Sequence, residues 1–178
     1  SMSGVLFLEN KCEYDLYKTT WKEKSQNIIS HVTNTVVYLG NSSYQLLDDI
    51  ESVKINIVKN VSQLQNRESI IYEVCNSDEV FNQIFNFTKS IISYTSEIKI
   101  IIIGKINNEK FYKEFCALEG FVNSIERENT NLHFKLILCG EGERVNVAKE
   151  FTDFSEKVIL YKNSKRYIRC VKKIDTLS

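Results

Sequence analysis

The stretch that decides the fold runs from residue 98 to residue 138 and reads IKIIIIGKINNEKFYKEFCALEGFVNSIERENTNLHFKLIL. Residues 98–103, IKIIII, are the most hydrophobic strand candidate of the chain and end at Gly104, which predicts a buried central strand. A helix is predicted over 109–128, and its buried stripe comprises Phe111, Phe115, Leu118, Val122 and Ile125. Residues 134–138 are the next predicted strand. A strand, an amphipathic helix and a second strand in this order favour a parallel sheet with a crossover helix.

The same alternation extends outward on both sides. Upstream, strands are predicted over 5–8, 17–21, 35–39, 53–58 and 69–74, and a short helix is predicted from Ser42 or Ser43 to about residue 50. A longer helix is predicted from Ser77, and its apolar stripe comprises Val80, Phe81, Ile84, Phe85, Thr88, Ile91 and Ile92. Downstream, the pattern predicts a short helix over 144–154 and strands over 157–161 and 166–174.

Together these elements predict an α/β fold, a truncated Rossmann-like sheet that is mostly parallel, with helices on both faces. The last two strands are predicted to form a C-terminal hairpin at the sheet edge, where exposed basic side chains discourage further pairing. Ser1 and Met2 are interpreted as a cleavage remnant, so that residues 3–178 form a single domain.

Composition excludes several classes of function. The chain has 178 residues with 23 basic and 23 acidic side chains, so nucleic acid and anionic membranes are not expected partners. Its five cysteines form no C-x-x-C pair, which argues against a metal site and a disulfide framework. No apolar stretch is long enough to span a membrane. We therefore expect a reduced, cytoplasmic protein.

One turn could bind a dinucleotide. Residues 40–45, Gly-Asn-Ser-Ser-Tyr-Gln, follow a predicted strand as the glycine-rich phosphate turn of Rossmann folds does. Only the first glycine of G-x-G-x-x-G is present, and side chains at the other positions would hold phosphates away from the backbone. A strand end followed by a serine-capped helix is the favoured interpretation.

Other candidate groups have simpler structural explanations. The loop 140–143, Gly-Glu-Gly-Glu, carries two carboxylates that would repel phosphate, so we interpret it as an acidic loop that caps the next helix. Cys139 and His133 are roughly 20 Å apart along one strand, too far for a nucleophile and its base. His31, the other histidine, lies in a polar connector, whereas Cys75, Cys116 and Cys139 lie among apolar neighbours and are expected to be inert.

Two charged groups are likewise expected to be solvated. Successive residues of a helix point in different directions, so Glu126, Arg127 and Glu128 are interpreted as a solvated helix end. The C-terminal basic residues are interpreted as a charged edge strand rather than a phosphate site; they are Lys165, Arg166, Arg169, Lys172 and Lys173.

Three segments carry a resemblance to a known family. Residues 16–21 read LYKTTW, residues 117–129 read ALEGFVNSIEREN, and residues 158–169 read VILYKNSKRYIR. They resemble the opening strand, the Ala-Leu-x-Gly-(Leu/Phe) helix and the closing hairpin of the structural half of ketoreductase domains in modular polyketide synthases, especially the trans-acyltransferase type. The likeness covers residues 14–174, although 42–97 matches only in element order. Ser164 and Asn123 depart from the family's usual Gly and Arg or Lys.

This resemblance implies a protein without catalytic groups. The helix is similar to the one that carries Tyr-x-x-x-Lys in short-chain reductases, and Phe111 and Phe115 stand at those two positions. It implies no catalytic, cofactor-binding or metal-binding residue in this chain. The expected partners are a catalytic half that binds NADPH, neighbouring domains of the same synthase and, indirectly, an acyl carrier protein.

Two alternatives from other classes remain. A free-standing Rossmann-like reductase would use Gly40–Ser43 for phosphate. An interaction module would self-associate or dock a carrier protein through an exposed helix or edge strand.

Overall fold

The computed structural model describes residues 17–25, 35–48, 53–64, 68–75 and 79–173. The strands are β1 (Tyr17–Glu23), β2 (Val36–Leu39), β3 (Leu47–Asp48), β4 (Ile55–Val58), β5 (Ser69–Val74), β6 (Ile98–Lys105), β7 (Leu132–Cys139), β8 (Val145–Asn146), β9 (Val158–Lys162) and β10 (Lys165–Lys173). The helices are α1 (Ser43–Leu46), α2 (Val80–Ile91), α3 (Glu109–Glu128) and α4 (Val147–Glu150), with a 3₁₀ turn at Val61–Gln63. The strand predicted at 5–8 lies outside the described residues.

Eight of these strands form one sheet, in the order β1-β10-β9-β7-β6-β5-β2-β4. The strands from β4 to β9 in this order are parallel, and β10 and β1 are added antiparallel at one side. The predicted α/β architecture with a mostly parallel sheet is therefore confirmed. Strands β3 and β8 make a separate two-stranded parallel pair.

The central strand β6 shows why the sheet is buried on both faces. Ile98, Ile100 and Ile102 point into one apolar core, which α2 and α3 cover. Ile101 and Ile103 point into the other, which α1, the β3–β8 pair and α4 cover. Alternation along a strand sends successive side chains to opposite faces, so a strand of isoleucines needs cover on both. The second face is covered by much shorter helices than the first.

The two short helices differ from their predicted lengths. The helix expected to reach residue 50 ends at Leu46, because Leu47 and Asp48 are extended and pair with β8. The helix expected over 144–154 is the single turn of α4, since Val145 and Asn146 form the partner strand. Asn146 then caps α4 by accepting a hydrogen bond from the backbone N–H of Lys149 at 3.0 Å.

Helix α2 is present, but its predicted apolar stripe is partly wrong. Val80, Ile84, Thr88 and Ile91 are buried as expected, together with Phe87, which the pattern missed. Phe81, Phe85 and Ile92 are instead 53%, 43% and 42% exposed. The predicted stripe extends too far round the helix, to positions where Phe81 and Phe85 lie beside Phe121 of α3 rather than against the sheet.

The C-terminal hairpin is confirmed, and its turn places Asn163 and Ser164 at φ of 53° and 58°. Such values match the tight turns that connect antiparallel strands. Strand β10 is not the edge of the sheet, however, because β1 pairs along its outer side. Local sequence pattern does not reveal that β10 has a second neighbouring strand, because that strand, β1, comes from the other end of the sequence.

Candidate functional site

The order of the parallel strands places a ligand crevice at one position. From β2 the chain crosses to β4 on one side and then returns to β5 on the other. In open α/β sheets, ligands bind beyond the carboxyl ends of strands at such a switch point. Here the crevice lies between the end of β2, at Gly40, and the end of β5, at Glu73.

The side chain of Glu73 fills this crevice. Its Oε2 accepts hydrogen bonds from the backbone N–H groups of Asn41 and Ser42, each at 2.9 Å, and from the Tyr38 hydroxyl at 2.7 Å. In a nucleotide-binding turn, backbone N–H groups at this place hold a phosphate oxygen. In this chain a carboxylate oxygen of the protein itself takes that role.

Gly40 is required by Glu73 rather than by a ligand. A Cβ atom on Gly40 would lie 2.3 Å from Glu73 Oε2 and 2.5 Å from Glu73 Cβ. Both distances are too short for real atoms, so no larger residue fits beneath this carboxylate. The glycine that suggested a phosphate turn is thus explained by contacts within the chain.

The electrostatics of the crevice also disfavour an anion. Burial, together with the hydrogen bond to Glu73 and its charge, raises the pKa of Tyr38, which keeps its hydroxyl protonated as a donor. A phosphate would have to displace the carboxylate or lie beside it. The predicted cap by Ser42 is wrong, since the Ser42 side chain makes no capping hydrogen bond and Glu73 satisfies these N–H groups instead.

Phe111 and Phe115 form a second feature, one turn apart on α3. Both are buried, with ring centroids 5.9 Å apart. They pack over Gly104 at the end of β6, where an added Cβ would lie 2.8 Å from the Phe115 ring and 2.9 Å from the Phe111 ring. The space above this strand end is therefore apolar and filled, with no polar side-chain atom from either residue.

Helix α3 is fixed to the antiparallel side of the sheet by polar contacts. The Trp21 indole N–H donates to the Tyr112 hydroxyl at 3.0 Å, and the two rings meet edge to face. Arg169 forms an ion pair with Glu119 at 3.1 Å. Side chains of β1 and β10 thus attach α3 to the antiparallel end of the sheet.

The cysteine and histidine candidates do not meet. His133 lies at the start of β7, where its Nε2 is 2.6 Å from Glu97 Oε2, whereas Cys139 is buried at the other end of the strand. Burial raises the pKa of Cys139, as it does that of Cys116, so neither thiol is activated. Cys75 is exposed, which corrects the expectation of apolar neighbours. His31 lies outside the described residues.

The acidic candidates are structural. Glu126 is not solvated as predicted: it is partly buried, pairs with Lys157 and accepts a hydrogen bond from the backbone N–H of Phe134 at 2.7 Å. Arg127 instead donates to Ser124. In the loop 140–143, Glu143 accepts a hydrogen bond from the Ser164 N–H at 2.8 Å and so supports the hairpin turn. That loop does not cap α4, because Asn146 does.

Sequence reasoning missed a buried charge cluster on the second face of the sheet. Glu150 is fully buried and receives the Arg166 side chain at two oxygens, at 2.9 and 3.1 Å. Lys135, also fully buried, lies 3.2 Å from the same carboxylate and donates to the carbonyl oxygen of Glu150 at 2.7 Å. Tyr161 completes the cluster by donating to Glu150. Arg166 therefore does not belong to an exposed basic strand.

These groups carry perturbed pKa values that follow from burial and pairing. Burial alone would raise the pKa of Glu150, but hydrogen bonds from Arg166 and the charge of Lys135 hold it below its usual value. Burial lowers the pKa of Lys135, although Glu150 opposes that shift. One signal was present in the sequence: a lysine inside the apolar strand 134–138 requires a buried counterion.

The described part of the chain has neither a metal-binding cluster nor a membrane-spanning helix. Its histidine, cysteine, aspartate and glutamate side chains form no group of three that could hold a metal ion. None of its helices has the length and apolar character needed to cross a bilayer.

Comparison with solved structures identifies the fold. No protein-family model and no curated protein sequence matches the chain. A ketoreductase domain from the bacillaene assembly line matches 90% of the chain with a TM-score of 0.56 and 14% identity. An A1-type ketoreductase matches 91% with a TM-score of 0.59 and 10% identity. A-type ketoreductases from a modular polyketide synthase match 89% with a TM-score of 0.58 and 10% identity. The chain has a partial ketoreductase fold.

The likeness covers only part of those structures. The chain spans 38% of the bacillaene ketoreductase, 43% of the A1-type enzyme and 42% of the A-type enzyme. The shared part is the α/β sheet with its helices, and identities this low establish the fold alone. The similarity therefore shows a shared fold and does not show a shared activity.

Proposed function

We propose that this chain is the non-catalytic structural half of a polyketide synthase ketoreductase, related to those of trans-acyltransferase synthases. It packs against a catalytic half that binds NADPH and reduces a carrier-bound β-ketoacyl intermediate. The observation that carries the proposal is Glu73, which fills the crevice where a nucleotide-binding member of this fold class holds pyrophosphate. The chain then supplies shape and orientation but no reacting atom.

The aromatic pair on α3 supports the same function. Phe111 and Phe115 stand where the resemblance to short-chain reductases would place the catalytic Tyr and Lys, and both rings are buried over Gly104. A phenyl ring cannot donate a proton to a ketone or bind a ribose hydroxyl. A domain that lacks these groups still lends rigidity to a neighbour, because catalytic groups need supports that are held firmly in place.

The extent of the match to the ketoreductase structures supports the existence of a second half. Each contains more than half of its residues outside the part that this chain matches. In our proposal that remaining part is the reductase proper, and this chain keeps the sheet and helices of that part in register.

The test is to express the catalytic half of the same polypeptide with and without this chain. We expect NADPH-dependent reduction of a β-ketoacyl thioester only when the two are together, and no reduction by this chain alone. Phe111→Leu, which keeps an apolar side chain over Gly104, should leave kcat unchanged in the complex. A catalytic half that is equally folded and active alone would overturn the proposal, as would reduction by this chain alone.

A further inference from the structure

The three strands at the antiparallel end of the sheet are strongly basic. Within 21 residues, β1, β9 and β10 contain eight of the chain's 23 basic side chains and only one of its 23 acidic ones. These strands therefore carry a formal charge of +7, and the rest of the chain, with fifteen basic and twenty-two acidic side chains, carries −7. The basic residues are Lys18, Lys22, Lys162, Lys165, Arg166, Arg169, Lys172 and Lys173. The neutral total thus conceals a pronounced separation of charge.

Contacts within the chain balance only part of this charge. Three of the eight residues pair with carboxylates, in the ion pairs Lys165–Glu23, Arg166–Glu150, Arg166–Glu156 and Arg169–Glu119. Both arginines of the three strands are therefore already held by glutamates. The positive charge that these pairs leave unbalanced belongs to lysines.

The strand register places three of these lysines on one face of the β1–β10 pair. Trp21 of β1 and Tyr167 of β10 belong to the core that α2 and α3 cover. Successive residues of a strand face opposite sides of the sheet. Lys18, Lys22 and Lys172 therefore lie on the other face, where Lys22 is exposed. We call these three residues the lysine face.

Two residues of the lysine face repel each other. Lys18 is directly opposite Lys172 in the register of the two strands. Like charges at directly opposed positions of antiparallel strands destabilise a sheet. A lysine on an edge strand prevents further strand pairing, which explains Lys18 on β1 but does not require a second lysine opposite it. A carboxylate bound between the two lysines would remove the repulsion.

We propose that the lysine face binds an acidic surface of another protein. Lys18 and Lys22 are four residues apart on one strand, which is about 13 Å. Carboxylates four residues apart on an extended segment match this spacing, and carboxylates two turns apart on a helix, about 11 Å, come close to it. Opposite charge on the two surfaces accelerates their association and discriminates against partners that lack the acidic pattern.

The composition of the three strands favours a protein partner over nucleic acid. Arginine, whose planar fork suits phosphate, is already paired here, and the remaining cations are lysines. Trp21 and Tyr167 are buried, so their rings cannot stack on bases. The negative charge on the rest of the chain would also repel a long polyanion that extends beyond these strands.

A membrane surface is disfavoured for a different reason. Proteins that lie on anionic bilayers combine basic residues with apolar side chains that enter the bilayer interface. Among the described residues of β1, β9 and β10, none is a large apolar side chain with an exposed surface. The lysine face therefore offers charge without an apolar anchor.

This inference goes beyond the proposed function, because its partner is a separate acidic protein rather than the catalytic half. It uses neither Glu73 nor the rings over Gly104. A failure of the scaffold role would leave it standing, and the reverse is also true.

The test is a titration of labelled poly-L-glutamate with this chain at low ionic strength, followed by fluorescence anisotropy. We expect saturable binding that weakens as salt is added. Lys18→Glu and Lys172→Glu should each weaken it severalfold, and the double variant should abolish it. Lys113→Glu is the matched control, since it makes the same change of charge at an exposed position of α3 and should have little effect. Absence of saturable binding, or an equal loss in the control, would overturn the proposal.

The same titration tests the choice of partner. A single-stranded oligonucleotide and phosphatidylglycerol vesicles should each bind more weakly than poly-L-glutamate. Tighter binding of either one that depends on Lys18 and Lys172 would overturn the assignment of an acidic protein.

The opposed lysines give a further measurement that a purely structural role would not produce. Lys172→Glu replaces repulsion across the strands with attraction, so its melting temperature should rise while its affinity for poly-L-glutamate falls. A fall in both would show that the variant weakens the fold, which would overturn the proposal. Lys172→Glu should still support the catalytic half in reducing a soluble β-ketoacyl thioester. Loss of that activity would show that the lysine face contacts the catalytic half and would overturn the choice of a separate partner.

Discussion

Glu73 lies directly over Gly40, so that a Cβ atom added to Gly40 would be 2.3 Å from the carboxylate oxygen of Glu73. Gly40 follows β2, and Glu73 lies on the neighbouring parallel strand β5. The presence of each residue explains that of the other. The glycine leaves room for the carboxylate, and the carboxylate accepts the N–H groups of Asn41 and Ser42 that follow the glycine. This pairing closes the crevice at the switch point of the sheet.

The contact between Gly40 and Glu73 predicts a strong, coupled effect on stability. Gly40→Ala should lower the free energy of unfolding by about 1–3 kcal/mol, because the new methyl group has no space. In a Glu73→Ala background the same change should cost much less, since the clashing side chain is gone. Urea unfolding of the four proteins measures this coupling. Gly120→Ala is the control: nothing lies within 4 Å of its Cβ position, and alanine in an exposed helix should be neutral or stabilising.

The rings over Gly104 predict a second stability effect. Phe115→Ala should cost about 3–5 kcal/mol, because Phe115 is fully buried and leaves a cavity under α3. Tyr44→Ala, at an exposed position of α1, should change stability by less than about 0.5 kcal/mol. Thermal and urea unfolding followed by circular dichroism compare the two. Equally small effects of the two substitutions would show that the Phe115 ring contributes little to the free energy of unfolding.

The buried cluster predicts a dependence of stability on pH. The pKa of Glu150 is lower in the folded chain than its ordinary value of about 4.3, so its ionised form stabilises the fold above that pH. The stabilisation is lost as pH falls through the lower, folded value. Glu150→Gln should cost about 3–5 kcal/mol at neutral pH, because Arg166 and Lys135 lose their buried counterion. Its stability should also change less with acidification than that of the wild type.

Urea unfolding at several pH values between neutral and strongly acidic measures that difference. Glu109→Gln serves as the control, because Glu109 belongs to an exposed pair with Lys113 and should contribute less than about 1 kcal/mol. Parallel pH profiles for wild type and Glu150→Gln would show that Glu150 is not the group responsible.

The single tryptophan offers a local probe of how β1 is attached. Trp21 is buried and donates to the Tyr112 hydroxyl, so its emission should be blue-shifted in the folded chain. Tyr112→Phe removes the acceptor and should cost about 1 kcal/mol. We expect unfolding followed by tryptophan emission to coincide with unfolding followed by circular dichroism. An earlier emission transition would show that β1 detaches from α3 before the sheet unfolds.

The sequence predicted those parts of the fold that depend on local pattern. The helix predicted over 109–128 has the bounds of α3, and the strand predicted over 69–74 has those of β5. Helix α2 is correct in position but its predicted apolar stripe is too wide, because hydrophobicity cannot distinguish a phenylalanine that is buried in the core from one that is half-exposed beside another helix. The short helices were overestimated, since Leu47 and Val145 pair across the fold.

The side-chain contacts at the candidate site were harder to predict from the sequence. The missing glycines of the turn after β2 predict that it is a poor phosphate site, and this stays a prediction. Its actual occupant is Glu73, more than thirty residues away in the chain, and no local pattern links the two. The same reason hid the pairing of Lys135 with Glu150 and Arg166, although a lysine inside an apolar strand predicts that some counterion must exist.

The central claim is that the nucleotide crevice is closed by the chain's own carboxylate, and the amide resonances of Asn41 and Ser42 test it directly. Titration with NADPH, followed by ¹⁵N-resolved NMR of this chain alone, should leave both resonances unchanged up to millimolar ligand. A saturable shift of these two amides with a micromolar Kd would contradict the account, because it would show that phosphate displaces Glu73.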